Sequence, residues 1–245
     1  MRPGEIICSF RFNSLAKPLF PLSSGASHFT MKLRHLLLAL PLVFALHTTT
    51  SMAQQPPKKF KMIIALDGTG KEGTWKDEAP KLLGEWWPKI QTILGVDYPL
   101  ISSLRIEFSA FEGIANTNQQ RMAISTKWIE KHPDDIGLTV HELVHAVQAY
   151  PKGEFWITEG IADYVRYYHY QPERGKAFKP GPRTSYKQGY NAAAALLNWV
   201  ETSKPGAVKE LNKLLHEGHY NEGEFKRVAG MTPDEAWEKY VASVK

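Results

Sequence analysis

Hydrophobic positions along the chain change period about halfway. Up to residue 126 they recur in short runs. "FKMIIAL" (60–66) is β-rich and stops at the loop "DGTGKEGT", and "SLRIEFSAF" (103–111) alternates as a half-buried strand does. "GIANTNQQRMAIST" (113–126) predicts a hairpin with an Asn/Gln-rich turn. One helix interrupts these strands: residues 79–94 space Leu82, Leu83, Trp86, Trp87, Ile90 and Leu94 at helical intervals, with Pro88 a kink point. After "HPDD" the period is helical, over 138–150, 156–170, 186–202, 206–216 and 233–244, with a loop at 171–185. The first two of these helices are separated by only a few residues and form a helical hairpin. Strands first and helices afterwards predict an α+β domain, with a small mixed or antiparallel N-terminal sheet and a helical C-terminal half.

The N-terminal region has a different texture. Lys32 and Arg34 precede an apolar run at 36–46, and "SMA" (51–53) follows, which is the layout of a secretory signal peptide at 31–53. The run is shorter than the roughly 20 residues a spanning helix needs. Residues 1–30, upstream of a complete signal, read as a mis-chosen start with Met31 the true one. Residues 54–59 ("QQPPKK") form a polar tether, and 60–245 the domain.

This division changes the charge and redox picture. The full sequence carries a net charge of +5, but Arg2, Arg11, Lys17, Lys32 and Arg34 lie before residue 54 against Glu5 alone. The remainder is close to neutral, which argues against a nucleic-acid partner. Cys8, the one cysteine, also lies in this leader, so no disulfide staples the exported chain. The expectation is a secreted or periplasmic monomer with no lasting membrane association after signal cleavage.

The chemistry concentrates in "LTVHELVHAVQAY" (138–150) and "WITEGIADYVR" (156–166). His141 and His145 stand four apart, on one helix face, and can present both imidazoles to one point. That suits Zn2+, which takes nitrogen ligands in tetrahedral geometry and lowers the pKa of its water to near 7. Glu142 follows the first histidine and is placed to accept that water's proton. A third histidine ten residues after His141 is excluded, because that position is Pro151. The next helix offers carboxylates instead: Glu159 as third ligand, and Asp163 to hold the far ring nitrogen of a ligating histidine. Gly160 and Ala162 are small enough to let helices approach closely. Water in the fourth position would make the site catalytic.

"HELVHAVQAY", "ITEGIADYVRYY", "QGYNAAAALLNWV" and the segment from "AVKELNKLL" to "EAWEKYV" together resemble the basic secretory protein family, in order and with similar spacing over most of 101–245. These are secreted, plant and microbial, zincin-like metallopeptidases. The resemblance implies a zincin fold, secretion and a link in plants to defence. It carries the family's HExxH onto His141, Glu142 and His145, and its EGxAD onto Glu159 and Asp163. The near-neutral charge of residues 54–245 departs from the family's basic character.

The resulting expectation is a secreted zinc metallopeptidase acting on peptides or proteins. A zincin-fold binding or defence protein with little catalysis is the alternative. A peptide substrate would add as a strand to a sheet edge, for which "RMAIST" (121–126) is the candidate. An oxyanion donor beside the metal would come from Tyr164, Tyr167, Tyr168, His169 or Tyr190, with Tyr190 favoured because it heads a helix after a loop. The tryptophans at 86, 87, 128, 199 and 237 fall at core-like positions, with a carbohydrate platform the other reading.

Overall fold

Alternation organises the sheet. In β2 (Ser103–Ser109) Leu104, Ile106 and Phe108 are buried while Arg105 is exposed, so one face meets the core. The computed structural model describes residues 60–98 and 100–244; the proposed start, signal peptide and tether lie outside the described residues. β1 (Lys61–Leu66), β2, β3 (Ala115–Asn118) and β4 (Arg121–Ser125) form one sheet in the order β1-β2-β4-β3. β1 runs parallel to β2 and β2 parallel to β4, while β3 is antiparallel to β4, so the sheet is mixed.

The expected hairpin is present, with Asn118 opposite Arg121 across a two-residue turn in which Gln119 adopts φ +50°. The choice of edge is corrected. β4, which carries "RMAIS", is an interior strand between β2 and β3, and the edges are β1 and β3. Hairpin periodicity reveals a pair of strands but not which member a third strand will join.

Helices supply the rest. α1 (Trp75–Leu94) begins four residues before the expected start, contains both Pro80 and Pro88, and buries Leu83, Trp86, Trp87, Ile90 and Leu94. A short α2 (Thr126–Lys131) follows β4 directly. α3 (Leu138–Gln148) is buried at every residue, and α4 (Phe155–Val165) at every residue except Phe155. The expected 156–170 helix is therefore α4 continued by a π-helical turn at Arg166–Tyr170. α5 (Pro172–Ala177) occupies part of the expected loop, with Pro172 at its first turn, where a missing N–H costs nothing.

A 3-10 turn at Tyr186–Gln188 precedes α6 (Tyr190–Ser203), and α7 (Ala207–His216), α8 (Glu222–Ala229) and α9 (Pro233–Ser243) complete the chain. Among the described residues no helix is long and apolar enough to cross a membrane.

Two features fix α3 and α4. Asp135, just ahead of α3, accepts hydrogen bonds from Arg166 at the end of α4 and from Arg174. Arg166 is 5% exposed and Asp135 partly buried, and this pairing holds the start of one helix to the end of the other. On the far side α4 packs on α6. A Cβ at Gly160 would stand 2.6 Å from the Cβ of Ala193, so the small residue serves contact with the alanine run of α6.

Candidate metal centre

Position four apart on a buried helix brings His141 and His145 to the same point: their Nε2 atoms are 3.1 Å apart. Glu159, from the second turn of α4, places Oε2 at 3.3 Å from His141 Nε2 and 3.5 Å from His145 Nε2. The three residues are 4%, 8% and 0% exposed. Among the described residues this is the one group of three or more His, Cys, Asp or Glu able to hold a metal ion. For ligands 2.0–2.1 Å from a tetrahedral ion, donor atoms sit about 3.3–3.4 Å apart, which matches this triangle. Neither carboxylate oxygen of Glu159 makes a well-aligned hydrogen bond, although both are buried. A buried carboxylate faced only by two imidazoles at 3.3–3.5 Å fits a cation at that point.

The far ring nitrogens are committed elsewhere. His141 Nδ1 lies 2.7 Å from Asp163 Oδ1. A carboxylate partner holds a proton on Nδ1, so Nε2, which faces the triangle, is the nitrogen available to a metal. His145 Nδ1 lies 2.7 Å from Gln148 Oε1, and the amide of Gln148 donates in turn to the carbonyl of Thr158 at 2.9 Å. That second bond orients the amide, so both imidazoles present the same nitrogen inward.

Electrostatics among these side chains agree with a cation-seeking site. Burial alone would lower the His141 pKa, yet Asp163 and then Glu159 raise it to about 10. Burial likewise opposes the charge on His145, but Glu159 raises its pKa. Burial would push the Glu159 carboxyl up, but His145 and His141 hold it well below the usual carboxylate range. The triangle therefore favours positive charge at its centre.

Glu142 is 1% exposed, and its Oε2 accepts a hydrogen bond from Thr117 Oγ1 of β3 at 2.7 Å. The structure thus brings together His141, His145 and Glu159, with Asp163 behind the first. Thr117 and Gln148 were not foreseen. Gln148 carried a legible signal, since it sits three residues after His145 on the same helix face. Thr117 carried none, because its contact crosses from strand to helix.

Tyr190 stands at the head of α6 with φ +49°, uncommon for a bulky residue. Its ring lies nearly parallel to that of His141, centroids 6.3 Å apart, and edge-on to Phe155 at 5.6 Å. The preceding Gly189, at φ +73°, approaches α4 so closely that a Cβ would stand 3.3 Å from Glu159 Cβ. The other oxyanion candidates gather at the end of α4 and in the π-helical turn that follows it. Tyr164 packs on Tyr168 and His169, and Arg166 covers the Tyr167 ring. Trp86 and Trp87 are buried, Trp128 stacks on His132, and Trp237 packs on Tyr186 and Tyr240.

A family model described as "BSP: Peptidase of plants and bacteria" matches residues 89–240, a span that contains every site residue named above. Neither the curated proteins nor the solved structures give a match.

Proposed function

The chain belongs to the BSP family, the peptidases of plants and bacteria, and from that premise we propose that it is a secreted zinc metallopeptidase of the glutamate-ligand zincin type. The observation that carries this reading is the buried triangle of two imidazole nitrogens and one carboxylate oxygen, with a second buried carboxylate, Glu142, directly after the first histidine. His141, His145 and Glu159 would hold the metal, and Asp163 and Gln148 would keep the imidazoles turned towards it. The donor set, two neutral nitrogens and one oxygen, suits zinc and leaves room for a fourth ligand. Zinc bound there supplies Lewis acidity towards the substrate carbonyl and the attacking water.

The chain's own residues do the rest. Glu142 takes a proton from the attacking water and returns it to the leaving amine. Tyr190 is the proposed donor to the oxyanion, supported by its place beside His141 and by a backbone conformation that a bulky residue adopts only when its surroundings impose it. The substrate would pair as an extended strand with β3, whose outer side has no strand partner among the described residues. Export is supported by the basic, apolar and small-residue succession at 31–53.

The direct test is casein cleavage by the purified protein, with and without a chelator, beside Glu142→Gln. Removing the base should cost about 10²–10⁴ in kcat while metal content is kept. Undiminished cleavage by Glu142→Gln or by chelated protein would overturn the assignment.

A further inference from the structure

Glu142 is a buried carboxylate, and a carboxylate shut away from water must be partnered or lose its charge. Its hydrogen-bond partner is the Thr117 hydroxyl, 25 positions earlier in the chain and on a different element. Thr117 shares a face of β3 with Ala115, which is 5% exposed, so that face turns inward towards α3. The side chain of Thr117 therefore points at the metal helix, while its backbone belongs to the outer strand of the sheet.

From this geometry we propose that Thr117 is the positioning residue for Glu142. By donating to Oε2, the hydroxyl fixes the carboxylate's rotation and leaves Oε1 as the oxygen that takes the proton. The strand proposed to receive the substrate is then also the strand that aims the base. A peptide that pairs with β3 meets Glu142 already oriented, with no rotamer search at the moment of reaction. The catalytic meaning of this contact rests on the peptidase reading above; the orientation of Glu142 does not.

Two substitutions separate hydroxyl from shape. Thr117→Val keeps the volume and removes the donor, while Thr117→Ser keeps the donor and removes a methyl. In the purified protein, Thr117→Val should retain its metal and its KM, and kcat should fall about 10–100-fold, the range for removing a group that orients a catalytic ligand. Thr117→Ser should restore most of kcat. Crystal structures provide a readout independent of turnover: the Glu142 carboxylate should rotate in Thr117→Val and keep its orientation in Thr117→Ser.

An unchanged kcat in Thr117→Val, or an unmoved Glu142 in its crystal structure, overturns the proposal. If the valine variant does not fold, Thr117→Ala takes its place in both measurements. If the wild-type protein binds metal but cleaves nothing, the peptidase reading has failed, and the crystallographic comparison alone decides the role of Thr117.

Discussion

Helices α3 and α7 both bury polar side chains, and they do so for different ends. α7 is an ordinary amphipathic helix: Ala207, Val208, Leu211, Leu214 and Leu215 face inward, and Lys209 and Lys213 face water. Its one buried polar residue, Asn212, is fully engaged. It accepts from the Tyr150 hydroxyl at 2.8 Å and donates to the Leu94 carbonyl at 3.2 Å. α3 has no polar face at all, since all eleven of its residues are buried.

Its histidines engage their outer nitrogens with Asp163 and Gln148, while their inner nitrogens and a carboxylate oxygen converge on one point, 3.1–3.5 Å from one another. Burial alone therefore does not mark a site. Three ligand atoms from two helices converging on one point do.

The comparison can be sharpened by substitutions on each side of it. Removing the Asp163 charge (Asp163→Asn) should weaken metal affinity about 10–100-fold, measured by competition with a chromogenic chelator. Gln148→Ala should act in the same direction and less strongly, because a carboxylate raises imidazole basicity more than a neutral amide does. Asn212→Ala should instead cost about 1–3 kcal/mol in denaturant unfolding, since it strands two buried partners. Its metal content should not change. Loss of metal in Asn212→Ala would mean that the buried polar residue of α7 also supports the metal centre on α3.

The smallest effect concerns pH. The folded, metal-free protein holds the His141 proton more tightly than the unfolded chain does, with the pKa raised from 6.5 to about 10. That contribution is complete below pH 6.5 and is lost as pH rises through about 10. The depressed Glu159 contributes above its ordinary pKa of 4.5 and is lost as pH falls below it. Chelated protein should therefore lose stability progressively from pH 6.5 towards 10. Protein loaded with metal, whose imidazoles carry no such proton, should lack this component. Parallel thermal-unfolding series with and without chelator would show whether the two curves diverge.

Much of the centre was legible because it is local. His141, Glu142 and His145 occupy one and a half turns of one helix, and Glu159 and Asp163 sit four apart on the next. Spacing converts directly to geometry in such segments. The contacts that escaped are those made by tertiary placement. Thr117 reaches Glu142 only because β3 lies against α3, and no pattern within "ANTN" indicates that.

The same limit explains the misassigned edge. The β3–β4 hairpin was visible, but β2 joins β4 in parallel from outside the hairpin, and that choice is not local. α8 was missed although Asn221, which caps it by accepting from the Glu224 N–H at 3.1 Å, was a readable start signal. Gly160 was recognised as a close-approach residue, but its neighbour is α6, through Ala193.

Elemental analysis decides whether His141, His145 and Glu159 hold one catalytic zinc. Purified wild-type protein should contain one zinc per chain, and Glu159→Ala should retain far less after the same dialysis while remaining folded by circular dichroism. A wild-type protein that takes up no zinc when offered it, or a folded Glu159→Ala variant that keeps a full equivalent, would contradict the account.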